Sequence, residues 1–399
     1  MARTRARRLR RVGGLTAVTC AVVVSAGIPP AQAAPEGRIV GAGAPGSVGG
    51  SYVVTLKGGT TASSAAGRIA GEYGARISHI YGTALNGFAV RADAGQAARL
   101  AADPRVASVV QDTRVAVEDT RRNPPSWGLD RVDQRHLPLD RRYVAPDSAG
   151  RGVTVYVIDT GIRISHREFG GRAGHGWDFV GRDKSAGDGN GHGTHVAATV
   201  AGATLGVARK ARVVSVRVLD SAGGGTTARV IAGIDWVTRH ARKPAVANLS
   251  LGGPYNAQLD AAVRASIASG VTYTVAAGND GLPAGPRSPA GVGEAITVGA
   301  TDRTDTRPSF SNHGPALDLF APGVSITSAS HRGDTARATF SGTSMASPHV
   351  AGAAALHLAD RPKATPAQVS RALVAGAVSG KVFGRGPGSP NKLLQVPRS

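Results

Sequence analysis

An α/β fold is what this 399-residue sequence predicts: a doubly wound, mostly parallel sheet preceded by a small α+β domain. Three observations predict it. From Val153 onward, short apolar runs alternate with helical patterns. Those runs are continuous in Val, Ile and Ala, as strands covered on both faces are. Ahead of them, residues 51–117 read β-α-β-β-α-β, the split βαβ order of a ferredoxin-like unit.

The elements follow in chain order. Arg3, Arg5, Arg7, Arg8, Arg10 and Arg11 form a positive start, Leu15–Ile28 is mostly apolar, and Ala31-Gln32-Ala33 is a small-x-small site. That is a signal peptide, expected to span residues 1–33; its apolar run is too short to cross a bilayer, so no stable membrane association is expected. Residues 35–50, rich in Gly, Ala, Pro and Ser, read as a lead-in. In the small domain, strands are expected at Ser51–Leu56, Arg76–Tyr81, Gly87–Arg91 and Val106–Gln111, with helices at Ser63–Tyr73 and Ala94–Ala102. In the larger domain, strands are expected at Val153–Ile158, Arg212–Leu219, Ala245–Leu249, Thr272–Ala276, Ile296–Gly299 and Leu317–Phe320. Helices are expected at His192–Ala201, Thr227–His240, Asn256–Ser269, Met345–Leu358 and Pro366–Val374.

Composition narrows the function. The net charge of +21 includes the six arginines of the leader, and the remainder shows no Lys/Arg run interleaved with aromatics. A nucleic-acid groove needs such a run, so a solvated basic surface and no nucleic-acid partner are expected. The single cysteine, Cys20, falls inside the leader, so the exported product has no disulfide, thiol or cysteine metal ligand.

Three segments carry chemistry: Val157-Ile158-Asp159-Thr160-Gly161, Gly191-His192-Gly193-Thr194-His195, and Gly342-Thr343-Ser344-Met345-Ala346. A carboxylate, an imidazole and a hydroxyl are the parts of a serine nucleophile activated by an oriented histidine. Asp159 ends an apolar strand, where α/β sheets place their sites. His192 and Ser344 each stand at the start of an expected helix, and Pro348 is expected in the first turn of its helix, where N–H groups lack partners. Asp-Thr-Gly also opens aspartic-peptidase motifs, but that chemistry needs two carboxylates sharing a proton and no second such tripeptide occurs. His195 could form a metal pair with His192; no third ligand motif accompanies it, and it reads, like His349, as a packed core residue.

In this order and with these flanking residues, the three segments resemble the subtilase family, most closely its proteinase K-like branch. The likeness runs from about Trp127 to Leu394, and residues 34–118 resemble the inhibitory pro-segment preceding subtilase catalytic domains. It implies a secreted serine endopeptidase of residues 119–399, made as a zymogen that cuts itself near Glu118-Asp119. The alternative is a catalytically idle peptide-binding protein on the same scaffold. The absence of disulfides departs from many proteinase K-like enzymes.

The resemblance also implies roles. Asn279, in Ala276-Ala277-Gly278-Asn279, matches the oxyanion asparagine. Gly223, Gly224, Gly225 and Thr227, with Ser250, Leu251 and Gly252, match the segments flanking a polypeptide substrate bound as an added strand. Ala276 and Gly278 would line the first pocket with Ser250–Gly252. Asp130, Asp133, Gln134 and Asp140 resemble a calcium loop of bacterial relatives such as aqualysin, and hard oxygen ligands suit that ion. A second calcium site would use Asp318 with carbonyls around Gly293 and Ala295. The pro-segment is expected as intramolecular inhibitor and folding template, and the product as a monomer.

Overall fold

The structure, a computed structural model, describes residues 37–44, 46–116, 120–121 and 126–396. The leader with Cys20 and the Glu118-Asp119 junction lie outside the described residues.

The larger sheet has nine strands in the spatial order Val378–Ser379, Lys392–Leu393, Leu319–Pro322, Ile296–Thr301, Thr272–Ala276, Ala245–Leu249, Thr154–Asp159, Arg212–Arg217, Ala173–Asp178. All neighbours pair in parallel except Val378–Ser379, which runs antiparallel to Lys392–Leu393. After Thr154–Asp159 the chain builds two strands to one side, then crosses to Ala245–Leu249 on the other. The order therefore reverses between Thr154–Asp159 and Ala245–Leu249, and beyond the carboxyl ends of those strands lies the crevice where open α/β sheets bind ligands.

Helices His192–Ala201 and Thr343–Asp360 share a core with one face of the sheet, built on Val155, Val157, Val196, Val200, Met345 and Val350. Helices Thr227–His240 and Ala257–Ala268 cover the other face through Tyr156, Ile158, Ile231, Ile234, Leu259 and Val263. Each such side chain, fully buried, stabilises the fold by about 1.5–3 kcal/mol over exposure. With few aromatics, density rests on close backbones: a Cβ at Gly352 would lie 2.5 Å from Val207 Cβ.

Residues 47–116 form the second sheet, with helices Ala62–Glu72 and Ala94–Ala101 packed on it over Tyr52, Val54, Ile69, Phe88 and Leu100. Thr61 and Asp93 are the N-caps of these helices; Asp93 and Gln96 form a reciprocal capping box. Two strands run longer than the alternation indicated, Ser47–Leu56 and Val106–Ala116, and Ile39–Val40 adds an edge strand. Strand Ala173–Asp178 was missed because Ala-Gly-His-Gly-Trp-Asp offers neither an apolar run nor alternation.

Candidate active site

Asp159 is the last residue of its strand and is fully buried. Its Oδ1 stands 2.8 Å from His192 Nδ1 and accepts from Thr160 N at 2.7 Å. A carboxylate only accepts, so Nδ1 carries the proton, and in the neutral ring the lone pair belongs to Nε2. The meeting is made by close backbone approach: a Cβ at Gly193 would lie 2.1 Å from Gly161 O.

Asp188, which the sequence analysis did not single out, locks this corner. Its carboxylate accepts from Thr160 Oγ1 (2.9 Å), Gly191 N (2.8 Å), Thr194 N (2.9 Å) and Thr194 Oγ1 (2.5 Å). Thr160 Oγ1 in turn accepts from Gly193 N at 2.9 Å. An anion at a helix start suits the helix dipole, and here it fixes where His192 begins its helix.

Ser344 is buried, and its Oγ donates to Ser250 O at 3.0 Å. The helix starts at Thr343, two residues before the expected Met345, so Pro348 lies past the first turn rather than within it. A proline there lacks the N–H that the carbonyl four residues back would accept. That carbonyl belongs to Ser344, and Ser250 Oγ donates to it instead, at 2.8 Å. Asn248 Nδ2 donates to Ser250 Oγ at 2.8 Å, and Asn248 Oδ1 accepts from Ser347 Oγ at 2.8 Å. Ser250 is thus a buried support behind Ser344 rather than a wall of the cleft.

Strand register brings the two halves together. Asn248 is level with Val157, so Ser250 is level with Asp159 on the neighbouring strand. Neighbouring strands lie about 4.8 Å apart. Ser344, tied to Ser250, and His192, tied to Asp159, are therefore held over adjacent strand ends, and their helices pack against each other.

Asn279 Oδ1 accepts from Thr343 N (2.8 Å) and Thr343 Oγ1 (2.9 Å). With the oxygen so held, the amide NH₂ is the end turned toward the cleft that Asn279 and Ser344 line. Gly278, at φ +101°, makes the turn; a Cβ there would lie 2.4 Å from Asn312 Nδ2. Asn312 was not found from the sequence, yet it donates to Ala277 O and accepts from Asp280 N and Leu282 N.

The cleft encloses about 220 Å³. Leu251, Gly252, Ala276 and Gly278 line it, together with Arg114 and Val115 of the smaller domain. Strand Gly224–Thr226 pairs antiparallel with that domain's last strand, Gly224 with Ala116, Gly225 with Val115 and Thr226 with Arg114. Gly223 stands in the turn before this strand and Thr227 opens the helix after it, so neither joins the pairing. Thr226 does, and also caps the helix by accepting from Arg229 N. Beyond the undescribed junction, Thr120 pairs with Ser341 and Arg121 with Phe340.

Two carboxylates the sequence did not flag tie the domains together. Asp112 Oδ1, on the smaller domain, accepts from Ala228 N at 3.1 Å in the first turn of helix Thr227–His240. Asp235, buried on that helix, accepts from Thr83 N (2.7 Å) and Ala84 N (2.8 Å). Hydrogen bonds to charged groups contribute about 1.5–3 kcal/mol each. Burial holds Asp112 above the usual carboxylate range.

His195 and His349 are core residues. His195 Nε2 donates to Ile326 O at 2.9 Å and the ring stacks on Phe340; burial drives its pKa down to about 3. His349 Nδ1 donates to Met345 O at 2.8 Å, and burial takes its pKa to about 4. Among the described residues no group of three His, Cys, Asp or Glu is gathered as a metal centre.

At the acidic loop, Asp130 accepts from Asp140 N (3.2 Å) and Arg141 N (2.8 Å), and Gln134 Oε1 accepts from Asp140 N (3.2 Å). Burial, together with the Asp140 carboxyl beside it, holds Asp130 above its ordinary pKa. Asp133 Oδ2 accepts instead from Val144 N at 2.7 Å. Arg131, fully buried, pairs with Asp305 at 2.6 and 2.9 Å and donates to the loop's Gln134 O at 2.6 Å. Asp318 Oδ2 accepts from Thr297 N at 2.8 Å, and burial pushes its pKa up to about 6.

Comparison with known proteins agrees with this architecture. The profile of the subtilase family matches residues 150–393, and that of peptidase inhibitor I9 matches residues 51–118. An extracellular serine proteinase of Thermus sp. (strain Rt41A) is 48% identical over 408 residues, covering 96% of this chain and 99% of that one. A cuticle-degrading serine protease of Arthrobotrys oligospora is 41% identical over 386 residues, covering 91% and 94%. Among solved structures, the crystal structure of a cold adapted subtilisin-like serine proteinase aligns with a TM-score of 0.66 and 51% identity, over 69% of this chain and 99% of that one.

Proposed function

The chain belongs to the subtilase family and is a secreted serine endopeptidase made with an inhibitory pro-segment; from that premise we propose that Ser344, His192, Asp159 and Asn279 perform its chemistry. Supporting this reading above all is the Asp159–His192 hydrogen bond beside Ser344 at the switch point of the sheet. His192 Nε2 takes the Ser344 proton as Oγ attacks the peptide carbonyl, and Asp159 holds the ring's tautomer and stabilises the imidazolium. The Asn279 amide and the Ser344 N–H receive the oxyanion. His192 returns the proton to the leaving amine, and water then releases the acyl group.

The pro-segment strand supplies the binding mode. Substrate takes the place of Arg114–Ala116 against Gly224–Thr226, with backbone pairing for affinity and the cleft for one side chain. Because the chain pairs on one side through Ala116 and on the other through Thr120, self-cleavage falls at a peptide bond between those two residues. Residues 34–118 then stay as a severed inhibitor until destroyed, and residues 119–399 act as a monomer. A sulfonyl fluoride should label the purified protein stoichiometrically at Ser344 and abolish casein hydrolysis. An unlabelled, stable peptide binder would instead identify the idle scaffold.

Subtilisin-like proteins generally bind calcium. Asp130, Asp140 and the Gln134 carbonyl form a hard-oxygen set that fits such an ion, while Asp133 would have to turn from Val144 N to join them. Asp318, half-buried, would hold a second ion with the Gly293 and Ala295 carbonyls. When bound, calcium supplies stability and no step of catalysis. Withdrawing calcium held at 100 times its Kd should lower Tm by about 5–10 °C. An unchanged melting curve in EDTA would remove both sites.

A further inference from the structure

A second cleft, of about 330 Å³, opens at the rim of the sheet opposite the catalytic groups. Thr154 and Arg212, which begin their strands, both line it, whereas Asp159 ends the first of those strands, about 16 Å away. Three arginines, Arg172, Arg212 and Arg242, line the cleft together with His175 and His240, and no Asp or Glu does.

The three guanidiniums come from different elements, and among the described residues none of them forms an ion pair, the Glu168 carboxylate acting on Arg172 only through space. Arg172 is held in place by neutral acceptors only: it donates to Ala201 O (2.7 Å), Ala211 O (3.0 Å) and Glu168 O (2.8 Å). Its burial works against the charge and lowers its pKa. Arg212 and Arg242 both act electrostatically on the hydroxyl of Tyr156, which is itself fixed by Arg242 N (2.9 Å) and His240 O (3.3 Å). Neither Arg212 nor Arg242 has a side-chain hydrogen bond or ion pair among the described residues. Arg131 and Arg217, by contrast, pair with the carboxylates of Asp305 and Asp178.

Like charges gathered around a concave wall repel each other, although Arg212 and Arg242 are exposed and water weakens the effect. An anion between them turns the cost into attraction, and planar guanidinium forks match tetrahedral oxyanions with two parallel hydrogen bonds. Trp236, stacked on His240 with ring centroids 4.5 Å apart, supplies a rigid wall. We propose that this cleft binds a small tetrahedral oxyanion of the sulfate or phosphate class, remote from the catalytic groups and without inhibiting them.

The test uses the purified secreted protein, with sulfate as probe because it is a weak calcium ligand. Tm is measured in sodium chloride and in sodium sulfate of equal ionic strength, for the wild type and for a variant carrying R212Q and R242Q. At ten times its Kd, sulfate is expected to raise the wild-type Tm by about 3–6 °C and to leave kcat/KM on a peptide anilide unchanged. The double variant should melt normally in chloride, keep its activity, and lose at least four-fifths of that rise. An equal rise in both proteins would mean that sulfate acts by exclusion from the whole surface, and would overturn the site. So would a wild type that melts identically in the two salts.

Discussion

Ser344→Ala is expected to give an exported protein that retains its pro-segment and hydrolyses peptide about 10⁶-fold more slowly, the loss known for removal of this nucleophile in subtilisin, a protein of the same family. Alanine fits where Ser344 stands because, among the described residues, the hydroxyl's one hydrogen bond is to Ser250 O, and the helix keeps its Ser250–Ser344 carbonyl bond. The fold should therefore persist while the reaction stops. The pro-segment, paired through Arg114–Ala116 and held by Asp112 and Asp235, should remain covalently attached. Intact mass of the secreted material reads the first effect, and turnover of a peptide anilide the second. Spontaneous maturation of this variant, in a strain lacking other proteases, would show that another group makes the acyl bond.

Asp159→Asn is expected to lower kcat by about 10⁴ with KM nearly unchanged. Asp159 is fully buried and touches His192 and its own loop, so it contributes nothing to peptide binding. An asparagine occupies the same space but offers an NH₂ as well as an oxygen. Turned toward Nδ1, that NH₂ favours the tautomer with its proton on Nε2, which cannot accept from Ser344. The remaining activity comes from the oxyanion donors and binding. Precursor should also accumulate, since self-cleavage uses the same groups. A variant with more than a tenth of wild-type kcat would place the orienting carboxylate elsewhere.

The local chemistry was legible in the sequence because it is written in contiguous peptides. Val157–Gly161, Gly191–His195 and Gly342–Ala346 each combine a reactive side chain with glycines or a helix start, and the structure builds the site from those segments. Asp188 was not singled out among its neighbouring glycines, yet its carboxylate closes the turn. Ser250 was placed in the cleft wall and proves to stand behind Ser344, because Pro348 frees a carbonyl that only the folded chain brings to it. Asp112 and Asp235 gave no signal. Asp112 stands in a polar run and Asp235 in a helical pattern, and their partners across the domains are backbone N–H groups.

By itself the sequence determined the class of sheet, the existence of a separate leading domain and the short motifs in which the proposed reacting groups stand. Hydrophobic period and short motifs are local quantities, readable within some ten residues. Only the tertiary structure decided which groups meet: the register that sets Ser250 level with Asp159, the pairing of Arg114–Ala116 with Gly224–Thr226, and the arginines converging at the opposite rim. These contacts join residues far apart in the chain, and their energies depend on burial and direction, which exist only once the sheet has closed its order.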